Sequence, residues 1–96
     1  MIPELDEIIH APNRLAICSM LSVVKSMEFA AIRDELNVSD SVASKQLKIL
    51  LDAGYVNFES KTSEQSKRPR TWVSLSDTGA SAFAAYVKKM QSLIAR

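Results

Sequence analysis

The sequence predicts a mainly α-helical domain carrying one small β-hairpin. Three observations predict it. Apolar residues recur at steps of three and four over the first half of the chain, the step shortens to two after Gly54, and it returns to three and four from about residue 77 to the end. At 96 residues the chain is one small domain, 1–96, of a size at which a single core is modest and association with a second copy is a natural source of further burial.

Pro3 is placed to open a short first helix, with Leu5, Ile8 and Ile9 on one apolar edge. Pro12 restarts the chain, and Ile17, Leu21 and Val24, with Cys18 beside them, mark the buried stripe of a second helix that ends at Lys25-Ser26. Met27-Glu28-Phe29 reads as a very short strand. Phe29, Ile32 and Leu36 then recur at helical spacing, and Asn37 to Asp40 join this third helix to a fourth. Two helices joined by so short a turn form a helix-turn-helix.

The fourth helix is bounded at both ends. Ser39 can accept a bond from one of the first unpaired backbone N–H groups, and Asp40 suits the positive helix end. Gly54 stands where helices close with a left-handed residue. Ala43, Leu47 and Leu50 stack on one side, so Ser41, Lys45 and Lys48 point roughly opposite, with Ser44 and Gln46 on the flanks. Hydroxyl, amide and ammonium groups are the types that meet phosphates and base edges in DNA. Taken alone, the helix reads equally well as an amphipathic element with a solvated polar face.

After Gly54, Val56 and Phe58 alternate with Asn57 and Glu59, and Val73 and Leu75 alternate with Trp72 and Ser74, as two half-buried strands do. Between them lies a polar loop with four cations, Lys61, Lys67, Arg68 and Arg70, against one anion. This is a hairpin with a basic tip, or wing. Trp72 falls on the strand face away from Val73, which leaves open whether it packs on the last helix or on another chain. Ser76 is the expected cap of that helix, along which Ala80, Phe83, Val87, Met90 and Ile94 form a seam with heptad character.

Composition excludes several classes. Hydrophobic residues make up 47% of the chain, too many for disorder. No apolar run reaches the roughly 18 residues of a membrane span, and Met1-Ile2-Pro3-Glu4 lacks the basic start of a signal peptide, so a cytoplasmic protein without a membrane partner is expected. Cys18 is the only cysteine and reads as a buried structural thiol. Residues 1–40 carry three basic and seven acidic side chains, residues 41–96 nine and four, so the halves stand at −4 and +5. The cationic half begins at the fourth helix, which suits a face that meets a polyanion. Catalysis is not expected, because there is no Gly-rich phosphate loop, no Cys/His pairing and no recognisable Ser, His and Asp constellation.

Several stretches resemble MarR/ArsR-type transcription regulators. Ala-Pro-Asn-Arg-Leu-Ala-Ile at 11–17 resembles the family's Pro-x-Arg-Leu-x-Ile opening, and Val-Ser-Asp-Ser-Val-Ala-Ser-Lys-Gln-Leu-Lys-Ile-Leu at 38–50 its recognition helix. Leu-Asp-Ala-Gly-Tyr-Val at 51–56, Lys-Arg-Pro-Arg-Thr at 67–71 and Leu-Ser-Asp-Thr-Gly at 75–79 resemble the helix exit, the wing and the start of the last helix. The resemblance implies a winged helix-turn-helix with a recognition helix at 39–53, a wing hairpin at 55–75 and a C-terminal dimerisation helix at 77–95.

The same resemblance implies that Ser39, Ser41, Ser44, Lys45 and Gln46 approach bases or backbone, and that Arg68 and Arg70 contact phosphates or the minor groove. Lys48, Lys61 and Lys67 are the further cations expected on DNA. The family's metal-sensing branch carries paired cysteines before the turn. Here that segment is Phe-Ala-Ala-Ile-Arg-Asp-Glu-Leu, and the lone His10 stands beside Asp6 and Glu7 at a helix start, so neither a metal nor another cofactor is expected. The expected function is that of a homodimeric repressor on a palindromic double-stranded operator, with any small-molecule effector unassigned. The dimer surface is expected from Phe83, Val87, Met90 and Ile94 with Leu5, Ile8 and Ile9, although the same seam could cover the chain's own core. A winged-helix module for protein–protein docking, without DNA, is the alternative.

Overall fold

The computed structural model describes residues 4–62, 65 and 67–95. In chain order the elements are α1 (Glu7–His10), α2 (Pro12–Leu21), β1 (Met27–Glu28), α3 (Phe29–Leu36), α4 (Asp40–Asp52), β2 (Val56–Lys61), β3 (Arg70–Leu75) and α5 (Asp77–Ile94). The sheet is antiparallel with order β1-β3-β2, so the two-residue β1 becomes a third strand beside the hairpin.

Local chemistry sets the boundaries. Pro3, expected to open the first helix, lies outside the described residues; α1 starts at Glu7 because the Asp6 carboxylate accepts from the N–H groups of Ile8 and Ile9 at 2.9 and 3.2 Å. Pro12 occupies the first turn of α2, where its missing N–H costs nothing. That helix stops at Leu21, earlier than the apolar pattern suggests, and Val24 is 45% exposed instead of buried. Ser22 closes it, with its hydroxyl donating to the Ser19 carbonyl and its N–H to that of Cys18, and Val23 and Val24 follow in a turn and a bend.

The α3–α4 turn is built by Asn37 in the left-handed region (φ 54°), with its N–H on the Asp34 carbonyl and that of Val38 on Arg33. Arg33 also reaches across the turn, donating to Asp34 at 2.9 Å and to Asp40 at 2.8 Å. The same closing motif ends α4. Gly54 (φ +78°) donates to the Leu51 carbonyl and Tyr55 to that of Leu50, both at 2.9 Å.

The core gathers Ile9, Ile17, Cys18, Leu21, Ile32, Leu47, Leu50, Val56, Val73 and Tyr86 from every layer. Ile9 is fully buried within this one chain, so it has no surface left to give a partner. Leu5, Ile8, Phe83 and Met90 are half-buried and pack on that core and Val87 is half-buried, whereas Ala80 and Ile94 of the expected seam are exposed, Ile94 at 77%. Tyr86, which the heptad pattern passes over, is the α5 residue that enters the core, and its hydroxyl meets His10 Nδ1 at 2.8 Å. Phe58 stands directly opposite buried Val73 on the same sheet face, but on the edge strand β2 where it lines an open hollow, and it is 42% exposed.

Candidate nucleic-acid interface

The Ser39 hydroxyl accepts from the Val42 N–H at 3.2 Å and so fixes where α4 begins. Ala43, Leu47 and Leu50 are buried, which commits the opposite face to solvent: Ser41, Ser44, Lys45 and Lys48 are all exposed. Lys48 lies 3.3 Å from Asp52 one turn on, an exposed pair of the kind that contributes little and yields readily to a phosphate.

The wing cations are also exposed, and two of them are held at the loop end of the hairpin ladder. Residues 61 and 70 are opposite each other in the ladder, on the face away from the core. Lys61 Nζ sits 5.3 Å from the centre of the Trp72 ring, and Arg70 donates to Glu28 of β1 at 2.9 Å. Trp72 is thus half-buried on the outer face of the sheet under Lys61. Lys67 and Arg68 lie on the loop beyond the strands.

The helix α4 and the hairpin stand side by side. Ser44, Leu47, Lys48 and Leu51 of α4, Phe29 of α3, and Phe58 and Thr71 of the hairpin line one open hollow of about 430 Å³. A duplex lying on the outer face of α4 would therefore meet the hairpin on the same side.

Gln46 stands apart from the other expected groove residues. It is half-buried, and its Oε1 accepts from Arg14 Nη1 of α2 at 2.7 Å. The same guanidinium donates to the carbonyls of Ile8 and Glu7 at the end of α1. Arg14 was legible only as one letter of the family's opening motif, and Glu28 carried no signal at all, because both act through partners distant in sequence.

Other reactive groups are occupied structurally. Burial, and secondarily the charge of Asp6, pushes the Cys18 thiol up to about 11, which keeps it protonated and unreactive at neutral pH. His10 joins α1 to α5 through Tyr86. Among the described residues, no helix is long and apolar enough to cross a membrane.

A capped helix-turn-helix followed by a cationic hairpin and a long helix defines a winged helix-turn-helix protein. The chain belongs to the winged helix DNA-binding domain family, whose model matches residues 13–94. Its fold is similar to that of a transcriptional regulator homologue from Pyrococcus horikoshii OT3, with a TM-score of 0.84 and 22% identity over 93% of this chain and 86% of that one. It is also similar to a MarR-family regulator from Enterococcus faecalis V583, at 0.73 and 18% over 84% and 71% of the two chains. MepR of S. aureus, solved in a complex with DNA, matches at 0.73 and 13% over 91% and 69%. No curated protein sequence matches the chain. The winged helix-turn-helix expected from the sequence is the fold observed.

Proposed function

We propose that this chain is a sequence-specific, double-stranded DNA-binding transcriptional regulator, acting in the cytoplasm as a homodimeric repressor on a palindromic operator. The observation that carries the reading is the exposed row Ser41, Ser44, Lys45 and Lys48 on a doubly closed helix, with Lys61, Lys67, Arg68 and Arg70 on the hairpin alongside. Ser41, Ser44 and Lys45 read base edges from the major groove, Ser39 and Lys48 serve the backbone, and the wing cations meet phosphates or the minor groove. The complex of MepR with DNA lends support through the shared fold.

Two copies would place their α4 helices in successive major grooves, about 34 Å apart, and so occlude a promoter. The half-buried Leu5, Ile8, Phe83, Val87 and Met90, with exposed Ile94, supply the apolar surface for that pairing. Selection of bound duplexes from random DNA, followed by titration at rising salt, tests the proposal. A symmetric selected site is expected, with log affinity falling by about 0.9 per neutralised phosphate for each unit of log salt. Duplex binding that is absent or insensitive to salt would sink it.

A further inference from the structure

Lys61 and Arg70 form the last pair of the hairpin ladder, so two like charges stand directly opposite each other where β2 and β3 run into the loop. The two side chains part. Arg70 reaches sideways to β1 and donates to Glu28 at 2.9 Å, whereas Lys61 leans back diagonally across the hairpin, placing its Nζ 5.3 Å from the centre of the Trp72 ring. Trp72 lies two residues along the neighbouring strand on the same outer face, a diagonal that a long side chain spans.

The two anchors differ in kind. The Glu28 carboxylate cancels the guanidinium charge, but an indole has no net charge: it attracts the ammonium through its quadrupole and leaves that charge in place for an anion approaching from the other side. The ring is itself well held. It sits half-buried on the central strand β3, with Glu28 of β1 and Glu59 of β2 as its ladder partners on either side. A lysine that must seize a phosphate from free solution loses rotamer freedom in doing so, and one already resting on a ring has lost part of it beforehand.

We infer that Trp72 is a positioning residue for DNA binding: its ring holds Lys61, with its charge intact, at the loop end of the hairpin where a phosphate is met. This rests on the DNA-binding reading above and adds to it a residue that acts through Lys61.

A double-substitution cycle read by duplex affinity tests the inference. Trp72→Leu keeps an apolar body on the sheet but removes the ring face, and should weaken binding to the selected duplex about threefold, the order of one side chain's ordering cost. Trp72→Phe, which keeps a ring face, should bind nearly as the parent does. Lys61→Met should weaken binding at least as much, and in the Lys61→Met background Trp72→Leu should cost nothing further. A Trp72 that only supports the sheet would cost the same in both backgrounds. The contact also has its own signature, because the ring current should move the Lys61 ε-methylene proton resonances upfield in the parent, and Trp72→Phe should reduce that displacement. This reading needs no Trp72→Leu protein, so it holds even where that variant fails to fold. The inference is overturned if the Lys61 resonances are undisplaced in the parent, if folded Trp72→Leu binds as tightly as the parent, or if its cost persists in the Lys61→Met background. A parent that binds no duplex in a salt-sensitive manner overturns the DNA-binding reading, and this inference with it, whereas salt-sensitive binding without the coupling overturns this inference alone.

Discussion

The Tyr55 hydroxyl donates to Asp6 Oδ2 at 2.6 Å, while Oδ1 of the same carboxylate caps α1. One side chain thereby ties the N-terminal segment to the exit of α4, 49 residues away. Removing it with Asp6→Ala deletes a helix cap and orphans a half-buried phenol, at about 2 kcal/mol in urea unfolding. The hydrogen bond to Asp6, with some burial, pushes Tyr55 up to about 12. Because the folded state holds this proton more tightly than the unfolded chain, the stabilisation is complete below about pH 10 and is lost as pH rises toward 12. Ultraviolet titration should show one tyrosine ionising near pH 12, and Asp6→Ala should return it toward about 10.

The two glycines make opposite demands. A Cβ on Gly79 would stand 2.0 Å from the Tyr55 carbonyl oxygen, the atom that accepts the Ser76 N–H where the wing turns into α5. A Cβ on Gly54 would meet nothing within 4 Å, and the substitution costs only its left-handed backbone. Gly79→Ala should therefore destabilise by about 3 kcal/mol or more, and Gly54→Ala by about 1–2. Equal melting points for the two variants would contradict this order.

Glu28 should restrain the wing's affinity for DNA. It already neutralises Arg70, whereas Arg68 stands on the exposed loop. Arg68→Ala should lower the slope of log affinity against log salt by about one unit, and Arg70→Ala by less. Glu28→Gln releases Arg70, so binding should tighten and the slope steepen. Anisotropy titrations across a salt series give all three slopes, and a Glu28→Gln slope identical to the parent's would show that Arg70 does not reach phosphate.

What was legible in the sequence was whatever local chemistry dictates. Ser39, Gly54 and Ser76 announce helix ends because caps depend on the nearest few residues, and Ala43, Leu47 and Leu50 announce the buried side of α4 because helical period does. The stop of α2 before Val24 was hidden, since apolar spacing continues through Ser22 while the backbone does not. Ile9 and Tyr86 were misread or missed for a different reason: which apolar edge faces inward depends on ties such as those of Asp6, Arg14 and His10, whose partners are 32 to 76 residues away. The polar face of α4 was read correctly in outline, but not the capture of Gln46, because no local pattern reports a hydrogen bond between helices.

Ile94 offers the cleanest test of the homodimer. It is 77% exposed near the end of the 18-residue α5, so the folded monomer gains little from it. A charge there leaves the core untouched yet must be buried if two α5 helices pack together, where an uncompensated carboxylate costs several kcal/mol. Ile94→Glu should accordingly keep the parent's helical circular dichroism, shift the sedimenting species to one chain's mass at micromolar concentration, and weaken binding to a two-half-site duplex far more than to a single half-site. Phe83→Glu is a poorer probe, because Phe83 packs on the core and its loss confounds folding with association. A parent already sedimenting as one chain at these concentrations would remove the dimer and leave each α4 to read a single half-site.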